Sequence, residues 1–112
     1  MREKYLKIFD TYGINNQQRQ LNEEVFELQE AIIKHENKNP ITSAVDSLNR
    51  TFCTLNGKEY KVLSKEHIIE EIADVMVVLE QFIEHYNIDR FDIAKVMEQK
   101  VTRQLGRIAK GE

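Results

Sequence analysis

The chain has 112 residues, about one domain's length and close to the size at which helical proteins share a core with a second subunit. Hydrophobic residues at 41% and charged residues at 31% fit an ordinary globular protein, and no apolar run approaches the ~20 residues of a membrane helix, which argues against a membrane protein. A net charge of −3 gives no general attraction to nucleic acid, and an N-terminus with charge in every turn lacks the apolar stretch of a secretory signal, so a cytoplasmic protein is expected.

Gly and Pro are sparse, and long apolar residues recur at helical spacing between them. The first predicted helix runs over about residues 2–12, with Leu6 and Phe9 on one face and Gly13 placed to cap its end; being short, it is expected to dock peripherally. A second begins near Asn15 or Asn16, either of which can cap it, and carries Leu21, Val25, Leu28 and Ile32 as a stripe ending around residues 34–37. Asn39-Pro40 forces a break, because proline disfavours helical geometry in the residue before it, and residues 41–48 have room for one short helix.

The next stretch, around Asn56-Gly57, puts β-prone residues on either side of a pair that favours a tight turn, so a small hairpin and an ordered loop are both open there. It contains the lone Cys53, which lacks any Cys or His at metal-finger spacing and reads as a structural thiol. Ser64 can cap a long third helix reaching about residue 85, whose stripe of Ile68, Ile72, Val75, Leu79, Phe82 and Ile83 is the most hydrophobic in the chain. Asp89 caps a fourth, with Ile93, Val96, Met97, Val101, Leu105 and Ile108 on one side and Lys100, Arg103 and Arg107 nearby. One all-α domain over residues 1–112 is expected, with an insertion at about 38–63.

The second and third helices share a pattern. Glu24 and Glu27 sit one turn apart beside the first stripe, as Glu71 and Asp74 do beside the second, and each helix carries one more acid, Glu23 or Glu70. A single such pair is ordinarily a solvated face. Two in the same register are different, since antiparallel packing of the stripes brings four carboxylates together at the border of the core, where they must bind protons or a cation. Oxygen-only ligands suit a hard ion, and Mg²⁺ uses a few carboxylates while keeping positions for water and phosphates. A di-iron bundle is excluded because no Glu stands three residues before His35, His67 or His85, and no loop has EF-hand spacing.

Glu24-Val25-Phe26-Glu27 followed by Glu71-Ile72-Ala73-Asp74 resembles the E-x-x-E and E-x-x-D signature of the MazG-like all-α NTP pyrophosphatases, relatives of the dimeric dUTP pyrophosphatases. The resemblance covers roughly residues 15–36 and 64–109. It departs from the family in the 43 residues between Glu27 and Glu71, an interval longer than usual. The insertion reads as a surface excursion, since lengthening a loop costs little, or as a lid or subunit contact that shapes specificity. What the resemblance implies is a helical bundle completed by oligomerisation, as homodimer or homotetramer, that hydrolyses a nucleoside triphosphate to a monophosphate and pyrophosphate. Glu24, Glu27, Glu71 and Asp74 would hold Mg²⁺, with Mn²⁺ a possible substitute. Glu23 or Glu70 would act as the base, Glu23 being preferred by analogy. Lys100 and Arg103 would bind the substrate phosphates, and Arg107 is divided between that role and complementing its helix dipole. Two other classes remain, a non-catalytic nucleotide sensor and a helical protein-interaction module, and base preference is unreadable because no aromatic or amide pair can be assigned to a pocket from sequence.

Overall fold

Gly13 divides the first two helices. Its N–H donates to the Phe9 carbonyl at 2.8 Å while its own φ is +84°, a region that L side chains rarely adopt, so glycine stands where the chain must turn. The computed structural model describes residues 1–36, 48 and 65–111, and among these it contains four helices and no strand. They are α1 (Arg2–Tyr12), α2 (Ile14–Glu36), α3 (Lys65–His85) and α4 (Arg90–Ala109). The Asn56-Gly57 turn, the Ser64 cap, Cys53 and, Leu48 apart, the short helix at 41–48 lie outside the described residues.

Helix α2 starts at Ile14, earlier than either expected cap. Asn16 does not cap it; the Asn16 amide reaches back instead to the Tyr12 carbonyl at 2.7 Å and ties the two helices together across the turn. Helix α1 is also less peripheral than its length suggests. Phe9 is only 2% exposed, and its ring meets Phe82 edge-on at 5.2 Å and stacks on His85 at 4.1 Å, while Arg2 pairs with Glu84 at 3.1 Å. This end of α3 is therefore anchored by an aromatic cluster.

The antiparallel α2 and α3 seam is the principal contact. Its buried residues are Gln17 and Ala31 on one side and Glu71, Val78 and Gln81 on the other. The stripe predicted from hydropathy is therefore not the buried face: Leu21, Leu28, Ile68, Val75, Phe82 and Ile83 are half-buried, whereas Val25, Ile32, Ile72 and Leu79 are exposed. Positions seven apart, Gln17, Glu24 and Ala31, form the line that meets α3, and that line is partly polar.

After α3 the chain turns through Asn87, at φ +53°; Asn87 N–H donates to Glu84 O at 3.1 Å and Ile88 N–H to Ile83 O at 3.0 Å, the paired bonds of a Schellman cap. Asp89 then caps α4 as expected, accepting from Phe91 N–H at 2.9 Å. Arg90 grips Glu80 with both arms of its guanidinium and reaches Glu84 at 3.2 Å. Beyond this hinge α4 buries no residue, and Phe91, Val96, Met97, Val101, Leu105 and Ile108 are exposed. The radius of gyration is 18.8 Å, against about 13 Å for a compact domain of this length.

Candidate metal centre and adjoining cleft

The register of the α2 and α3 seam sets the site. Gln17 opposes Gln81, and seven residues along each helix Glu24 opposes Asp74; one turn further Glu27 faces Glu71. Matching steps on two antiparallel helices bring carboxylates 50 residues apart in the chain to one place. Glu24, Glu71 and Asp74 each offer an oxygen, and these oxygens all lie within 4.8 Å of one another. Glu27 stands outside that set but bears on it through its charge, which pushes the Glu71 carboxyl up.

The electrostatics are adverse. Burial pushes the Glu71 carboxyl above the ordinary carboxylate range, the charges of Glu27 and Asp74 push it further, and His67 opposes them, its Nε2 lying 3.8 Å from Glu71 Oε1. Glu24 is likewise raised, first by burial and then by the charges of Asp74, Glu27 and Glu71, against a hydrogen bond from Gln20 Nε2 at 2.6 Å. Both residues keep one buried oxygen without a partner, Glu24 Oε2 and Glu71 Oε2. Buried acceptors without donors are costly, and two aimed at one carboxylate cluster are what a hard cation satisfies. The donor set, all oxygen and three carboxylates, fits Mg²⁺ or Mn²⁺.

A cleft of about 560 Å³ opens beside the cluster, between α1, α2 and α3. Glu23, Glu24 and Asp74 line it, as do Arg19 and, seven residues along the helices from Glu24 and Asp74, Gln17 and Gln81. Glu23 thus faces the cleft, whereas Glu70 does not line it and sits with His67, 4.0 Å from its Nδ1. Lys100, Arg103 and Arg107 line no part of it; all three are exposed on α4, and within one chain the structure does not bring them to the carboxylates.

Several contributors carry no strong signal in the sequence. His67 and Gln20 are each four residues from the carboxylate they touch, a spacing that places them on its face once the helix is granted. Arg19, Gln17 and Gln81 become visible only with the fold. Comparison of the chain with protein-family models, with curated proteins and with solved structures finds no significant match.

Proposed function

We propose that this protein is a Mg²⁺-dependent nucleoside triphosphate pyrophosphohydrolase, converting a (d)NTP and water to a (d)NMP and pyrophosphate in the control of nucleotide pools. The observation that carries the reading is the meeting of Glu24, Glu71 and Asp74 in one register, with two buried carboxylate oxygens lacking partners beside an open cleft. Carboxylates crowded this way must bind protons or a cation, and a cation held by carboxylates at a cleft is suited to phosphates.

Glu24, Glu71 and Asp74 would hold the ion, with Glu27 beside Glu71 adding to the negative charge that draws it. A bound ion would supply charge neutralisation and make water more acidic. Glu23, on the cleft wall one residue from a ligand, takes the proton of the attacking water, which approaches phosphorus in line with the departing pyrophosphate. Lys100 and Arg103, with Arg107 behind them, grip the phosphate oxygens from the α4 of a second copy in a homodimer or homotetramer, because their own chain holds them away from the cleft.

Pyrophosphate release is measured with Mg²⁺ across the common NTPs and dNTPs, beside a Glu71→Ala variant. Release by the native chain and a loss beyond the about 100-fold typical of outer-shell changes in the variant support the reading. Folded protein that releases nothing overturns it; metal-dependent stabilisation by a nucleotide without product then identifies a sensor, and no response at all an interaction module.

A further inference from the structure

The cleft has a second polar feature that the acidic chemistry does not use. Gln17 and Gln81 are 5% and 2% exposed, yet both line the cleft, and Gln17 Nε2 donates to Gln81 Oε1 at 2.6 Å. That bond consumes one donor and one acceptor. Gln17 Oε1 and the protons of Gln81 Nε2 are left with no protein partner among the described residues. If both amides were turned over, the bond would reverse and the pair would still present one carbonyl and one amino group. Neither unused group is sealed from solvent; both open onto the cleft, where a ligand can complete them.

We infer that the Gln17 and Gln81 pair reads the order in which a nucleobase edge carries its hydrogen-bond donor and acceptor, an order that separates adenine and cytosine from guanine and uracil. This inference rests on the nucleotide reading above. The surroundings suit a flat ring: Ile8, Val77 and Val78 give the cleft apolar walls, and Tyr12, 59% exposed at the end of α1, offers a ring that can close over a base. The placement suits a nucleotide as well. The amide pair lies seven residues along α2 from Glu24, about 10 Å at the helical rise, so a base at the amides leaves its sugar and phosphates extending towards the carboxylates. A base whose edge mismatches the pair covers both groups and leaves them without partners, whereas a matching base satisfies both; this asymmetry is how a site lined by amides rejects close analogues.

The test is equilibrium binding, with Mg²⁺, of α,β-imido analogues of dUTP, dCTP, dATP and dGTP, and of tripolyphosphate, which has the phosphates and no base. Native protein is compared with Gln81→Met and with the double variant Gln17→Met/Gln81→Met, which keep side-chain length; the double variant also removes both polar partners together, the change that a folded core tolerates best. The native chain is expected to separate its best and worst base by about 10- to 100-fold. The variants are expected to compress that spread to within about 3-fold while holding tripolyphosphate as the native chain does. A spread that survives in the folded double variant overturns the inference and leaves the pair a structural clamp. So does a native chain that binds all four analogues no differently from tripolyphosphate. Failure of the native chain to bind tripolyphosphate and every analogue overturns the phosphate-handling reading itself, and the base-reading role falls with it.

Discussion

Glu71 holds its charge where an isolated protein would not choose to put one. At 9% exposure, and faced by Glu27 and Asp74, its carboxyl and that of Glu24 are held above the ordinary carboxylate range. A carboxyl raised in the folded state favours folding at low pH, where it is protonated, and that contribution is lost as pH rises through the folded value. In the absence of divalent ions the native chain should therefore lose stability between mildly acid and neutral pH, and Glu71→Gln should flatten that part of the profile and melt higher at pH 7. Adding Mg²⁺ should reverse the order, since an ion that binds only the folded state adds about 2.7 kcal/mol at a hundredfold excess over its Kd, and the variant should gain little of it. Thermal melts of both proteins, with chelator and with Mg²⁺, check this; a native chain that melts lower than the variant under every condition would count against a cation site. The acids themselves were legible, because a repeated acidic spacing on two helices is a local pattern. The amides were not. Gln17 and Gln81 are 64 residues apart, each in a polar neighbourhood, and only the register of two helices makes them a pair.

The helices followed their punctuation more faithfully than their hydropathy. Gly13 and Asp89 end and begin helices because each supplies a backbone requirement that is written in the residue itself. The buried face is a weaker inference: the stripe through Val25, Ile32, Ile72 and Leu79 predicted which residues seek cover, not which ones this chain covers. Helix α4 makes the point most plainly, since it has an N-cap, an apolar side and, among the described residues, almost no partner. Its attachment rests on Arg90, whose hydrogen bonds to Glu80 hold that carboxyl below the ordinary range, and on the Asp89 cap. Asp89→Ala should cost about 1 kcal/mol and fray the first turn of α4. Amide exchange is the measurement, with faster exchange expected at residues 90–93 and none of that change in α2; unaltered exchange at Phe91 would show that the cap does not hold this end.

Taken whole, one copy leaves two features unmatched among the described residues, and one arrangement would answer both. Apolar side chains lie uncovered on the outer face of the α2 and α3 pair and along α4, and the cations of α4 are remote from the acids they would complement. A second copy that docks its α4 over the first would bury the apolar face and bring Lys100 and Arg103 to the partner's cleft in the same contact. That arrangement makes a prediction a self-contained chain cannot meet. Glu71→Ala and Lys100→Ala should each be inactive alone, but mixed, unfolded and refolded together they should recover activity. With random pairing in a twofold dimer half the molecules are mixed, and each mixed molecule carries one site free of both changes, so about a quarter of the sites return. Pyrophosphate release before and after mixing, with sedimentation to count the subunits, reads the result. Recovery would establish that the acids of one copy work with the cations of another; two variants that stay dead in a confirmed mixed dimer would place the whole site in a single chain, whose cleft Arg19 already lines.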